Sequence, residues 1–284
     1  AGIKRVVIGA RDPNPITNGR GIAKLRRAGI QVTGGVLERE ARRLNEPFEK
    51  AITQRLPFVV AKVGQSLDGK IATSSGESRW ITSTEARRFA HQLRGEADAI
   101  LVGVNTILQD DPLLTARAGR GRPDRPIKVV VDSRLRTPTR ARCLLARSPA
   151  PTIIATTRRA STARRQALER RGADVIVLPA TRQRRVPLRR LCRLLAQRGI
   201  QSLLIEGGGE VLASAFAERL VDRVAWCISP MLIGGRGAPS AVGGPGMHRL
   251  SQAIRLEEFR VRRLGPDLCV EGRVVYPNPS PHAP

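Results

Sequence analysis

From Pro57 onward, short apolar runs alternate with polar, helix-length stretches, and this alternation restricts the fold more than any single motif does. The runs are Phe58 to Val63, Ala99 to Val104, Ile127 to Asp132, Thr152 to Thr156, Asp174 to Leu178, Ser202 to Ile205 and Val224 to Met231. Such runs suit strands buried on both faces, and intervening helices are the usual way to connect parallel strands. The helices announce their ends. Thr82 or Ser83 caps one that runs to about Arg94, with Glu85 in its first turn, and Ser161 caps a basic one ending at Gly172. A third, Pro187 to Arg198, is stopped by Gly199, and Gly207-Gly208-Gly209 opens a fourth that reaches Leu220. Two closing runs, Glu258 to Leu264 and Leu268 to Tyr276, add an antiparallel edge. The expected class is α/β, a mixed sheet flanked by helices.

The N-terminal segment is different. Lys4 to Ala10 and Gln31-Val32-Thr33 read as short strands, with helices from Gly19 to Ala28 and from Leu37 to Lys50. This is too little to close a core. The organisation expected is therefore a remnant over 1–51, a main domain over 57–276 and a Pro-rich, disordered tail over 277–284. No internal repeat is present. The first residue is Ala1, not Met, which reads as the mark of a fragment; no charged leader or cleavage site precedes the first strand.

The net charge of +26 invites a nucleic-acid reading, which the details weaken. The excess is nearly all arginine, 44 of the 50 basic residues, as GC-rich coding produces, and it is dispersed over helix faces. Aromatic residues make up 3% of the chain, too few for base-stacking platforms. A basic surface that steers phosphorylated small molecules is the better account, and a nucleic-acid-binding protein remains the rival from another class. No stretch approaches the roughly 18 consecutive apolar residues of a membrane helix. Cys143, Cys192, Cys227 and Cys269 lie far apart and include no C-x-x-C pair, so a reducing cytoplasm is the expected location and no metal site is expected.

Three clusters carry possible chemistry. In Leu203-Leu204-Ile205-Glu206-Gly207-Gly208-Gly209-Glu210 an apolar strand ends in a carboxylate and a Gly-rich turn leads into a helix. Such a turn brings backbone N–H groups close to a phosphate. A Gly-rich turn without ligand is the bland alternative, and Leu212 stands where a dinucleotide fingerprint would need its third glycine. Lys62 interrupts the first main strand and needs a carboxylate partner or a site. Small polar residues then lead from Ser74 to Trp80, whose ring would suit either a ligand cleft or the core. The third cluster runs from Asn105 through Asp110-Asp111-Pro112 to Arg117 and resembles a helix-ending turn. Arg94 and Arg117 are candidates for gripping an anion. His91, His248 and His282 have no metal-ligand spacing and read as incidental.

Taken in order, the strings A-K-V-G-Q-S-L-D-G-K-I-A, S-G-E-S-R-W-I-T-S, A-I-L-V-G-V-N-T-I-L-Q-D-D-P-L-L-T-A-R, V-V-V-D-S-R and L-I-E-G-G-G resemble the reductase half of the bacterial bifunctional riboflavin-biosynthesis deaminase/reductases. The resemblance covers residues 57 to 276. The opening segment looks like the C-terminal end of that family's cytidine-deaminase-like domain. The resemblance implies a dihydrofolate-reductase-like fold that binds NADPH and reduces 5-amino-6-(5-phosphoribosylamino)uracil, a small phosphorylated ribosylaminopyrimidine, at the ribosyl C1′. It places Lys62, Asp110 and Glu206 around the reacting sugar. Ser78, Arg94, Leu114, Arg117 and Glu206 match substrate positions, with the arginines facing the phosphate. Gly64, Trp80, Thr106, Asp110, Ser133, Gly208, Gly209, Glu210, Val211, Leu212, Ala213 and Ser214 match cofactor positions. Arg158, just after a strand, is the candidate for the cofactor's 2′-phosphate. Self-association into a homo-oligomer is also implied.

One departure is plain. The family's deaminase chemistry needs an H-x-E and P-C-x-x-C zinc site, and neither string occurs. Zinc is expected only in the missing deaminase part, so deamination is not expected of this chain. A reductase of another pterin or pyrimidine is the nearer rival, and an inactive fragment a third.

Overall fold

The computed structural model describes residues 2–116, 126–145 and 151–278. The chain divides into two compact units, one of residues 1–58 with 192–201, the other of 59–191 with 202–284.

In the smaller unit, β1 (Arg5–Ile8) pairs in parallel with β2 (Gln31–Gly34), and α1 (Arg20–Arg27) and α2 (Glu38–Gln54) complete the N-terminal segment. No residue of α1 is buried, and in α2 only Lys50 is. Leu37 and Leu44 are among its exposed apolar residues.

The larger unit is built on β3 (Phe58–Ser66), α3 (Thr84–Glu96), β4 (Ala99–Gly103), α4 (Val104–Asp110), β5 (Ile127–Val131), α5 (Arg142–Leu145), β6 (Thr152–Thr157), α6 (Thr162–Glu169) and β7 (Asp174–Leu178). Then follow α7 (Leu188–Gln197), whose residues from 192 on fall in the smaller unit, and, again in the larger one, β8 (Ser202–Glu206), α8 (Gly209–Ala217), β9 (Arg223–Ser229), β10 (Arg255–Leu264) and β11 (Asp267–Val275). Nine strands form one sheet in the order β10-β11-β9-β3-β8-β4-β5-β6-β7. β3 runs parallel to β9, and β8, β4, β5, β6 and β7 are parallel in successive pairs. β11 and β10 are antiparallel at the opposite edge. The fold is thus α/β with a mixed sheet flanked by helices.

Every residue of β4 and of β6 is buried, as parallel strands covered on both faces require. Ile100, Val130, Ile154 and Leu204 from the strands pack with Ile107 of α4 and Leu168 of α6. Ala86 and Phe89 of α3 cover Ala225, Cys227 and Cys269 near the antiparallel edge. The helix starts follow local chemistry: the side chain of Ser83 accepts from Ala86 N and that of Ser161 from Arg164 N. Periodicity also places Lys128 inside, on β5. Its ammonium donates to the Cys143 carbonyl at 3.0 Å, and burial pushes its pKa down.

Two loops are tied together beside the sheet. Asp68 accepts from Ser66 Oγ (2.5 Å), Ile233 N (3.1 Å) and Gly234 N (2.6 Å), bonds that hold its carboxyl at about 2. Ile71 N donates to the Pro239 carbonyl and Ala241 N to that of Gly69. Among the described residues no helix is long and apolar enough to cross a membrane.

Candidate active site

Parallel α/β sheets bind ligands beyond the carboxyl ends of their strands, and here those ends open on one cleft of about 1360 Å³. That exceeds the roughly 300–1,000 Å³ of a pocket for a single small ligand. There is room for two molecules.

The cleft's charged floor comes from three elements. Glu206 ends β8, Arg94 lies in the last turn of α3, and Lys62 sits on β3, the strand beside β8. Arg94 grips the carboxylate with two nitrogens: Nε lies 2.9 and 3.0 Å from Oε1 and Oε2, and Nη2 lies 2.5 Å from Oε2. Its Nη1 donates to the Thr115 carbonyl at 3.2 Å. The two side chains are 18% and 10% exposed. Burial alone would raise the Glu206 carboxyl, but the Arg94 charge and hydrogen bonds, with Lys62 and His91, outweigh it and hold the group below the usual carboxylate range. Lys62 and Gly64 share a face, as residues two apart on a strand do, and the ammonium lies 3.6 Å from where a Gly64 Cβ would stand. A larger residue at 64 would also press on Thr82.

A second wall is built around Asp110, the last residue of α4. Ser78 Oγ donates to Asp110 Oδ1 at 2.7 Å, and Arg79 bonds its backbone carbonyl. This holds the Ser78-Arg79-Trp80 strip against the cleft. Trp80 is 67% exposed, so the core reading of that ring is wrong. Its face instead carries the Arg87 guanidinium, 4.4 Å from the ring centroid.

The Gly-rich turn forms the third wall. Gly207 and Gly208 both have φ of +82°, a region that favours glycine, and Gly208 caps α8. A Cβ at Gly209 would stand 2.7 Å from the Ser240 carbonyl oxygen and 3.2 Å from Gly243 N. Gly209→Ala should therefore lower stability by about 1–3 kcal/mol in thermal or urea denaturation. An unchanged melting curve would mean the 240–243 segment yields freely. Glu210 pairs with Arg185 at 2.6 Å and accepts from Gly244 N; burial tends to raise its pKa, but these partners leave it lowered. Ser133, just past β5, accepts from Val186 N through its hydroxyl.

The cleft thus brings together Lys62, Gly64, Ser78, Trp80, Arg94, Thr106, Asp110, Leu114, Ser133 and Glu206 with Gly208 to Leu212 and Ser214. Ala213 and Arg158 are not among its lining residues, and Arg158 points to solvent from the end of β6. Arg117 and His282 lie outside the described residues. Leu114 meets the cleft, but its side chain is 2% exposed and packed in the core. Arg94 spends its donors on Glu206 and Thr115, a different task from facing a phosphate. His91 lines the cleft and is among the groups that help lower the Glu206 carboxyl, a placement its lack of metal-ligand spacing did not indicate. The spacing Arg87, His91, Arg94 marks one face of α3, opposite Ala86 and Phe89, and was the available sequence signal. The arginines that rim the cleft near Ser133 (Arg134, Arg136, Arg184 and Arg185) carried no such signal.

Comparison with known proteins places this geometry. A family model described as the RibD C-terminal domain matches residues 57–270. Riboflavin biosynthesis protein RibD of Aquifex aeolicus is 39% identical over 270 residues, which cover 95% of this chain and 72% of that one. The 2,5-diamino-6-ribosylamino-4(3H)-pyrimidinone 5′-phosphate reductase of Methanothermobacter thermautotrophicus is 44% identical over 216 residues, 76% of this chain and 97% of that one. Among solved structures, a form of Acinetobacter baumannii RibD superposes with a TM-score of 0.82 at 29% identity, covering 96% of this chain and 73% of its own. With the family model matching residues 57–270, about three-quarters of the chain, and a relative 39% identical over 95% of it, the chain belongs to the RibD C-terminal domain family of riboflavin-biosynthesis reductases.

Proposed function

We propose that this protein reduces 5-amino-6-(5-phosphoribosylamino)uracil to its 5-phosphoribitylamino product with NADPH. The observation that carries this reading is the largely enclosed Arg94–Glu206 pair beside Lys62, at the floor of a cleft large enough for cofactor and substrate. A dinucleotide phosphate suits the residues present. The first N–H groups of a helix have no intrahelical partners, and α8 opens at Gly208 with a backbone that approaches its neighbours closely.

When bound, NADPH supplies the hydride that reduces the sugar carbon. The protein's own groups do the rest. Ring opening only moves a proton from the linking nitrogen to the ring oxygen, a shift the Lys62 ammonium can mediate; Lys62 then donates the proton that the C1′=N nitrogen takes up as C1′ gains the hydride. Glu206, kept ionised by Arg94, accepts hydrogen bonds from the sugar hydroxyls, and Asp110 does the same while fixing Ser78. Ser133, Thr106, Gly208 to Leu212 and Ser214 would hold the cofactor, with Trp80 beside it in the same cleft. Self-association belongs to the same reading, because β10 is an edge strand that exposes Phe259 and Val261. We assign no deamination to these residues.

A second substrate has a specific observation behind it. The M. thermautotrophicus relative, matched over 97% of its length, is named for the 2-amino pyrimidinone. The test is loss of NADPH absorbance with each ribosylaminopyrimidine phosphate, and the uracil is expected to react faster. Turnover of the 2-amino compound alone would move the assignment to it.

A further inference from the structure

We infer that Arg134 and Arg184 form the clamp for the cofactor's 2′-phosphate, and that this pair sets the preference for NADPH over NADH. The inference rests on the NADPH reading above.

Strand order lays out the cleft. Lys62 and Glu206 belong to β3 and β8, β4 comes next, and Ser133 follows β5. The Gly-rich turn reaches over β4, where a Cβ on Gly208 would lie 3.7 Å from Gly103 N. From β3 to β5 is three strand spacings of about 4.8 Å, or roughly 14 Å in all. A dinucleotide with its reactive ring at Lys62 and its pyrophosphate at the turn therefore brings its far ribose to the Ser133 end.

Two shaped loops meet there. Asp132, fully buried, accepts from Thr137 N (2.7 Å), Thr137 Oγ1 (2.8 Å) and Arg134 N (3.3 Å), which curls the chain so that Arg134 faces out. The second loop is closed by Thr181 N to the Arg185 carbonyl (2.9 Å), Arg184 N to that of Thr181 (2.8 Å) and Arg185 N to Thr181 Oγ1 (3.1 Å). Val186 N, bonded to Ser133 Oγ at 3.3 Å, pins this loop to the first. Four arginines line this end of the cleft. Arg136 is committed to Asn105 Oδ1 at 2.6 Å and Arg185 to Glu210 Oε2 at 2.6 Å. Arg134 and Arg184 are exposed, and among the described residues neither guanidinium has an acidic partner. Arg136 keeps its charge but is tied to Asn105, whereas the untethered guanidinium groups of Arg134 and Arg184 suit the terminal oxygens of a phosphate monoester. A bare 2′-hydroxyl would leave them without counter-charge.

The experiment is calorimetric titration of the full chain with NADPH and with NADH. The variants are Arg134→Gln with Arg184→Asn, each singly, and Arg158→Gln as a control away from the cleft. Asparagine is chosen because Arg184 has a φ of 62°, which asparagine tolerates. The double variant should bind NADPH at least about tenfold more weakly and NADH within about twofold of wild type. Arg158→Gln should change neither. Equal weakening toward both nucleotides, or no change toward NADPH, would overturn the clamp. Wild-type protein that is folded yet binds neither nucleotide would instead overturn the NADPH reading, and the clamp with it.

Discussion

Replacing Arg94 by alanine should destabilise the protein by up to about 3 kcal/mol near neutral pH, because it leaves the largely enclosed Glu206 carboxylate without its main counter-charge. For a domain of this size that is a fall in melting temperature on the order of 10 °C. Calorimetry against pH adds the diagnostic. Glu206 titrates below its ordinary value when folded, so the stability it contributes is fully present above the ordinary glutamate range. It is lost as pH falls through the lowered folded value. In Arg94→Ala, burial acts without its main opponent and the carboxyl rises. The gap between wild type and variant should therefore be widest near neutrality and close in acid. Arg94→Leu combined with Glu206→Leu removes both charges and should recover much of the loss. A single variant as stable as wild type at pH 7 would show that the pair is solvated and not the enclosed anchor described.

Lys62→Met should lower turnover by about 10²–10⁴-fold, the usual contribution of a positioned proton donor. The side chain keeps an unbranched apolar stem and is one atom shorter than that of lysine, so the melting temperature and the dissociation constant for NADPH should stay close to wild type. The loss should fall on kcat more than on KM, because the ammonium is needed when charge develops and less when substrate docks. Glu206→Gln should raise KM as well, since the amide keeps the shape but weakens the hydrogen bonds to the sugar. A Lys62→Met protein with wild-type kcat would remove the lysine from the chemistry.

Much of the fold can be read from the chain. The strands of the parallel region are continuous apolar runs, and Ser83 and Ser161 cap their helices through local bonds. What periodicity does not contain is strand order, and the site depends on it. Lys62 and Glu206 become neighbours because β8 inserts between β3 and β4. Arg94 and Glu206, 112 positions apart, pair for the same reason. An arginine just after a strand looks suited to a phosphate, yet Arg158 follows β6, one strand past β5, while Arg134 follows β5 itself. Leu114, with a φ of 52°, turns its side chain into the core, which no apolar pattern distinguishes from a wall of the cleft. The Gly-rich turn was visible in the sequence, but its close contact with Ser240 was not, since that residue belongs to an irregular segment.

The central claim is hydride delivery to a ribosyl carbon held over Lys62 and Glu206. It is tested most directly by incubating the protein with 5-amino-6-(5-phosphoribosylamino)uracil and NADPH deuterated at the transferable position, then analysing the product by mass spectrometry and NMR. The expected result is one deuterium at C1′ of the phosphoribitylamino product, with no label transferred by Lys62→Met over the same time. Folded, NADPH-binding protein that leaves the substrate unreduced, or product without deuterium at C1′, would contradict it.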